Sequence, residues 1–201
     1  DTPTPRDVPS SPQDWAFLDP DAYFRWHVDF GVNVMFCHAF TFGGYALYPT
    51  RLGGVAPGPG STLFPRLFEL SRRAGLPFCT YFNCTADLHV SNLRDDWVVP
   101  GSRTAFPGMA YGLLAPESPW AGLFCARLAE FLRLYPVEWI NFDWFAYGSV
   151  KPDEFAVQPA WFVEKPFREI CGRSLPATAA EIAPEESLAY KREILARYFH
   201  R

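Results

Sequence analysis

The chain has 201 residues, which is enough for one domain with a sizeable core and too few for most two-domain arrangements. Its formal net charge of -4, from 18 basic and 22 acidic residues, gives no basic surface of the kind that a nucleic-acid backbone requires. No apolar run approaches the roughly 18 residues of a membrane-spanning helix. We therefore expect neither nucleic acid nor membrane as a partner.

The N-terminal residues 1–13 are rich in Pro, Ser and Thr. Such a segment buries too little apolar surface to offset its ordering entropy, so we interpret it as a disordered lead-in. Structure should begin near Trp15, and we expect a single βα domain over residues 14–201. Whether that domain is truncated at its C-terminus is left open by the sequence.

The first half of this domain predicts two helices that alternate with two strands. The stretch "DPDAYFRWHVDFG" is typical of a short helix, with Asp19 as its cap and Gly31 as its end. The buried strand "VNVMFCHAF" follows directly. A helix in "STLFPRLFELSRRAG", ending at Gly75, leads to the second strand, "LPFCTYFNC".

The second half begins with a long segment, residues 85–118, that is dense in Pro and Gly. Such a loop in a compact domain is usually functional or disordered. The helix "PWAGLFCARLAEFLRLY" and the third strand, "VEWINFDWF", come next. Two further helices are predicted in "AWFVEKPFREICG" and "APEESLAYKREILARYFHR", with no strand after them.

Each strand is a nearly continuous apolar run that a helix separates from the next strand, a pattern typical of a parallel sheet covered on both faces. Three strands cannot close a barrel that needs eight. The fold class is therefore α/β, either the front portion of a TIM-barrel-like (β/α)8 barrel or a small open parallel α/β sheet.

The five cysteines are odd in number and form no C-x-x-C spacing. We interpret them as reduced, buried, small hydrophobic residues, which favours a reducing compartment and hence the cytoplasm. No cofactor is predicted.

Polar residues stand where the three strands end. His38, Asn83 and Asp143 occupy these positions, and residues at the carboxyl ends of parallel strands are typical ligand contacts. The period of two in the third strand puts Asn141 on the same face as Asp143. The aromatic residues that follow Asp143, among them Trp144 and Tyr147, would suit a platform on which a sugar ring stacks.

The segments "GVNVMFCHAFTFGGYALYPTR", "GLPFCTYFNC" and "YPVEWINFDWF" together resemble the glycoside hydrolase superfamily around the alpha-L-fucosidases, and related uncharacterised bacterial glycosyl-hydrolase-like barrels. This resemblance implies a carbohydrate substrate, with Asp143 as nucleophile and His38 as a contact to a sugar hydroxyl. It also implies that Tyr45 and Tyr48 belong to an aromatic loop at the site. One departure is that "CHAFTFGGY" holds a single His and no acid where the fucosidases have a His-His-Asp-Gly-Phe run.

Glycoside hydrolysis normally needs two carboxyl groups, and only Asp143 is evident. Asp87, Asp95 and Glu154 are candidates for the second, and a residue beyond the end of this sequence is another. A chain without it would be a non-catalytic carbohydrate-binding or scaffold domain, which is the first alternative function. Asp143 could also be purely structural, as a loop cap or an ion-pair partner.

A weaker alternative is a metal-dependent hydrolase. His38, His89 and Asp143 supply nitrogen and oxygen ligands of the kind found in an open zinc site. Their spacing matches no short metal-binding motif, however, so no metal site is predicted. Glycoside hydrolysis remains the leading hypothesis.

Overall fold

The computed structural model describes residue 15 and residues 17–102, 112–144, 157 and 160–200. In these ranges the helices are α1 (Pro20–Phe30), α2 (Gly60–Ala74), α3 (Leu88–Leu93), α4 (Trp120–Leu134), α5 (Glu164–Cys171) and α6 (Pro184–Phe199). The strands are β1 (Met35–His38), β2 (Tyr45–Ala46), β3 (Gly54–Val55), β4 (Phe78–Asn83) and β5 (Trp139–Asp143). Every predicted helix and long strand is present, while α3, β2 and β3 were not predicted. The lead-in, residues 1–13, lies outside the described residues.

Local capping explains why α1 begins and ends where it does. The Asp19 carboxylate accepts hydrogen bonds from the backbone N–H groups of Asp21 and Ala22, at 2.9 and 3.2 Å. These groups have no partner within the helix, so the cap stabilises its first turn. Gly31 ends the helix in the left-handed conformation, at a φ of 87°, where a residue without a Cβ is favoured.

The main sheet has the strand order β1-β4-β5, and both strand pairs are parallel. The helix α2 connects β1 to β4, and α4 connects β4 to β5. His38 lies opposite Tyr81 in the register, and Asn83 lies opposite Asp143. The carboxyl ends of the three strands therefore meet at one edge, as the sequence predicts. The short strands β2 and β3 form a separate parallel pair.

Among the described residues, one face of the main sheet is packed and the other is largely open. The packed face carries Phe82, whose ring lies 5.1 Å from that of Phe131 on α4. On the opposite face, Phe36 and Trp139 remain 40% and 53% exposed. A sheet covered on both faces is therefore not what the described residues form at Phe36 and Trp139. An apolar run also suits a strand whose second face lines the inside of a barrel.

A second apolar cluster joins the C-terminal helices to the segment after β4. The ring of Phe167 on α5 lies 5.5 Å from that of Tyr190 on α6, and both side chains are fully buried. Farther along α6, the Tyr198 hydroxyl donates to the carbonyl oxygen of Cys84 at 2.8 Å. This hydrogen bond joins the end of α6 to Cys84, the residue that follows the last residue of β4.

All five cysteines are free thiols. Cys37 and Cys84 are buried, and burial raises the pKa of each thiol to about 12. The other three, Cys79, Cys125 and Cys171, are partly exposed, so only two of the five fit the description of buried hydrophobic residues. None of the helices in the described ranges is long and apolar enough to cross a membrane.

Candidate functional site

A group of polar and aromatic side chains lies at the carboxyl edge of the main sheet. We call it the strand-end cluster, and its members are His38, Phe42, Tyr81, Asn83, Asp143 and Trp144. Four of them were predicted, and the structure brings these four together. Asn141, also predicted, lies opposite Tyr81 in the register and is exposed.

The centre of the cluster is the hydroxyl group of Tyr81. It lies 2.9 Å from Asp143 Oδ2 and 3.0 Å from Asn83 Oδ1. One hydroxyl proton serves one acceptor at a time, and the carboxylate is the stronger of the two. In the same arrangement Asn83 Nδ2 is buried without a partner. Rotating the Asn83 amide by 180° lets Nδ2 donate to Tyr81 while Tyr81 donates to Asp143, so the amide N–H and the Tyr81 hydroxyl each gain an acceptor.

The other carboxylate oxygen of Asp143 is held by the backbone of the next residue. The Trp144 N–H donates to Asp143 Oδ1 at 2.6 Å, and the Trp144 carbonyl accepts a hydrogen bond from the Thr85 hydroxyl. Trp144 has a φ of 55°, which is unusual for a residue with a large side chain. Asp143 nevertheless stays exposed, so its carboxylate is oriented without being buried.

Aromatic rings surround the Tyr81 hydroxyl on the same face. The His38 ring lies 4.5 Å from the Tyr81 ring, and the Phe42 ring lies 6.2 Å from that of Trp144. Burial lowers the pKa of His38 below its ordinary value, so the imidazole is neutral at pH 7. The cluster therefore offers a carboxylate, an amide, a neutral imidazole and apolar ring faces, which together suit a polar ligand with apolar patches.

Tyr48 does not belong to this site, and its predicted role as a substrate contact is wrong in this structure. Its side chain is fully buried, with its ring 5.6 Å from that of Phe40 and 5.4 Å from that of Phe131. The side chain packs into the core rather than toward the carboxyl edge of the main sheet. Tyr45 is half-buried on β2, with its ring 5.2 Å from that of His89.

Asp87 is not available as a second carboxylate. Its side chain is 4% exposed and forms an ion pair with Arg127, which is 3% exposed, at 2.6 Å. Its other oxygen accepts the N–H of Val90 at 2.7 Å and caps α3. The chain passes close to this carboxylate at Gly44, where a Cβ atom would lie 2.0 Å from Asp87 Oδ1. Asp87 therefore has a structural role.

The remaining predicted residues are distributed as follows. Asp95 is exposed and begins the short 3-10 helix Asp95–Trp97. Trp97 in this helix is 9% exposed, and the Arg94 guanidinium carbon lies 4.0 Å from the centre of its ring. Tyr147 and Glu154 lie outside the described residues. The described residues contain no group of three or more His, Cys, Asp or Glu side chains placed to hold a metal ion, so the zinc alternative gains no support.

Sequence reasoning missed Tyr81 and Phe42. Tyr81 precedes Asn83 by two residues in β4, so the strand period that placed Asn141 beside Asp143 would have placed Tyr81 beside Asn83. Phe42 lies in the Gly-containing loop after β1, where no periodic pattern shows its direction. Its ring lies among those of His38, Tyr81 and Trp144, and its carbonyl oxygen accepts the Leu88 N–H at 3.3 Å.

No family model matches this sequence, and no curated protein sequence matches it. Among solved structures, it is similar to alpha-L-fucosidase isoenzyme 2 from Paenibacillus thiaminolyticus, with a TM-score of 0.73 and 16% identity. That match covers 96% of this chain and 28% of the fucosidase, so this chain spans little more than a quarter of the enzyme's length.

Two more distant matches are also alpha-L-fucosidases. The Bacteroides thetaiotaomicron enzyme of glycoside hydrolase family 29 gives a TM-score of 0.49 at 18% identity, over 67% of this chain and 29% of that one. The Thermotoga maritima enzyme gives 0.47 at 18% identity, with the same coverage of both chains. Of these three structures, the Paenibacillus enzyme alone has a TM-score above 0.5. The chain thus has an α/β fold with an open parallel sheet, and it matches part of an alpha-L-fucosidase barrel at low sequence identity.

Proposed function

We propose that this chain carries one side of a glycoside-hydrolase site that cleaves an O-glycosyl bond, with Asp143 as nucleophile or stabilising carboxylate. One observation carries the proposal. The Asp143 carboxylate stands exposed at the carboxyl edge of a parallel sheet, with one oxygen held by the Trp144 N–H and the other by the Tyr81 hydroxyl. A carboxylate held in this way presents a fixed charge to a developing positive centre.

The surrounding side chains would bind and orient the sugar. His38, Asn83 and Asn141 offer hydrogen-bonding groups for hydroxyl oxygens, while the rings of Trp144 and Phe42 offer apolar faces for ring C–H groups. The neutral state of His38 lets it donate from one nitrogen and accept at the other. Tyr45 would contribute from the loop that carries β2.

As a nucleophile, Asp143 would attack the anomeric carbon while the bond to the leaving oxygen breaks, and water would then hydrolyse the glycosyl ester. A second carboxyl group must protonate the leaving oxygen, from about 5 to 5.5 Å away in a retaining enzyme. Asp87 is excluded by its ion pair with Arg127. Asp95 and Glu154 remain the candidates from this sequence. The sugar itself is left unassigned because "CHAFTFGGY" departs from the fucosidase pattern.

The test compares Asp143→Asn with Asp29→Asn, a change to an exposed acid on α1. Hydrolysis of a panel of aryl glycosides should be lost in Asp143→Asn and retained in Asp29→Asn, with both melting temperatures within a few degrees of the parent. Azide should restore turnover in an Asp143→Ala variant and yield a glycosyl azide if Asp143 is the nucleophile. An Asp143→Asn chain that fails to fold would show instead that the carboxylate is structural.

A second candidate function is carbohydrate binding without hydrolysis. The observation that favours it is the burial of Asp87 in an ion pair, which removes one of the three candidates for the second carboxyl group. This function predicts sugar binding by calorimetry, no turnover of any aryl glycoside, and equal affinity in Asp143→Asn. Measurable turnover by the parent chain would exclude it.

A further inference from the structure

A cavity of about 660 Å³ lies away from the strand-end cluster, and the two share no residue. Residues from the start of α4, from α5 and the segment before it, and from the end of α6 line it. We call it the α5 cavity, and its lining residues include Glu117, Gly122, Trp161, Lys165, Glu169 and Arg197. Its volume falls in the range of about 300 to 1,000 Å³ that is usual for small-molecule sites. Nothing in the proposed function uses it.

One part of the lining is apolar and carries an exposed indole. Trp161 is 61% exposed, and the ring of Phe162 holds it edge-on at a centroid distance of 5.5 Å. An indole left in water beside a cavity keeps a large apolar face available for a partner. A flat apolar face of this kind suits the C–H surface of a sugar ring.

The polar part of the lining carries balanced charges. Glu117 and Glu169 are offset by Lys165 and Arg197. Arg197 is fixed by Glu169 at 2.9 Å and by Glu193 at 3.0 Å, and Glu117 accepts the Tyr190 hydroxyl at 3.0 Å. A charged ligand would meet a like charge or compete with these pairs, whereas neutral hydroxyl groups could accept from the cations and donate to the carboxylates.

We infer that the α5 cavity is a second saccharide-binding site, selective for neutral sugars. It does not require that Asp143 be catalytic. The two sites are linked through the backbone of Cys84, because Tyr198, which lines the cavity, donates to the Cys84 carbonyl, while the Cys84 N–H donates to the Asp143 carbonyl at 2.9 Å.

The experiment needs a readout specific to each site, which the tryptophans provide. The chain is labelled with 5-fluorotryptophan, and the ¹⁹F resonance of Trp161 is assigned by its loss in Trp161→Phe. Methyl glycosides of fucose, galactose and glucose serve as neutral probes, and glucuronate and glucosamine as charged ones. The resonance of Trp26, which is 63% exposed on α1, is the matched control.

Neutral glycosides should move the Trp161 resonance in a saturable way and leave that of Trp26 in place, and the charged sugars should bind on the order of tenfold more weakly. Gly122→Phe should abolish the shift, because a Cβ at Gly122 meets nothing within 4 Å and a ring there would fill the cavity without a backbone clash. No Trp161 shift, an undiminished shift in Gly122→Phe, or tighter binding of the charged sugars would overturn the inference. If the Trp144 resonance alone moves, sugar binds only at the strand-end cluster, and the inference fails while the proposed function stands.

Discussion

Replacing Arg127 by Met should destabilise the chain by about 4 kcal/mol, since removing one partner of a buried ion pair typically costs about 3–5 kcal/mol. The change leaves the carboxylate of Asp87 without its partner at 2.6 Å in a site where both side chains are at most 4% exposed. It also removes the hydrogen bond from Arg127 Nε to the Leu52 carbonyl at 2.7 Å. A loss of this size is a large part of the roughly 5–15 kcal/mol that stabilises a typical domain. Urea unfolding followed by tryptophan fluorescence measures it.

Two matched variants separate charge from packing. In Arg127→Met/Asp87→Asn the buried charge is gone, and the Asn oxygen can still accept the Val90 N–H that caps α3. This double variant should regain about 2 kcal/mol of the loss, because the unpaired charge is its largest part. Arg197→Met, which breaks an exposed pair with Glu169, should cost less than about 1 kcal/mol. A cost below about 1 kcal/mol for Arg127→Met, or a double variant less stable than the single one, would refute this account of the pair.

Two further predictions concern the residues around this pair and the strand ends. Gly44→Ala should lower the melting temperature far more than Gly31→Ala. Both glycines have a positive φ, but only at Gly44 would the new Cβ meet a side chain, 2.0 Å from Asp87 Oδ1. Equal losses of melting temperature in the two variants would contradict this steric explanation. Burial lowers the pKa of His38 below 6.5, so its folded form binds protons less readily than its unfolded form. The chain should therefore have its full stability above pH 6.5 and become less stable as the pH falls through the pKa of His38 in the folded state. Urea unfolding at several pH values measures this loss, and it should be smaller in His38→Gln.

The elements that the sequence predicts well are those with strong local signals. The caps Asp19 and Gly31 directly flank α1 and mark its two ends, and long apolar runs mark β1, β4 and β5. The short strands β2 and β3 have only two residues each, too few for a period to be visible. The helix α2 begins at Gly60, one residue before the predicted start at Ser61, and no side chain caps it; the Ser61 hydroxyl donates back to the Gly58 carbonyl.

The same difference between strong and weak local signals applies to the residues of the candidate site. Residues on strands, such as Asn83, Asn141 and Asp143, lie on the face of the sheet that the period of two gives. Residues carried by loops do not follow it. Tyr48 packs into the core, and Asp87 pairs with Arg127, a residue 40 positions later in the chain. Such contacts depend on how distant segments meet, which no local pattern encodes.

Trp144, the residue after β5, gives a last prediction, which depends on the sign of a small difference in stability between two variants. Trp144 has a φ of 55°, and in this conformation its N–H reaches the carboxylate of Asp143 at 2.6 Å. Trp144→Gly and Trp144→Ala both remove the indole, so the difference between them isolates the backbone. At most positions Ala is the more stable of the two, but the left-handed conformation costs a residue with a Cβ about 1–2 kcal/mol. We therefore expect Trp144→Gly to melt a few degrees above Trp144→Ala in thermal unfolding followed by circular dichroism, as about 1 kcal/mol would produce. If Trp144→Ala melts higher, the positive φ is not maintained in solution, and the backbone would no longer fix the carboxylate of Asp143.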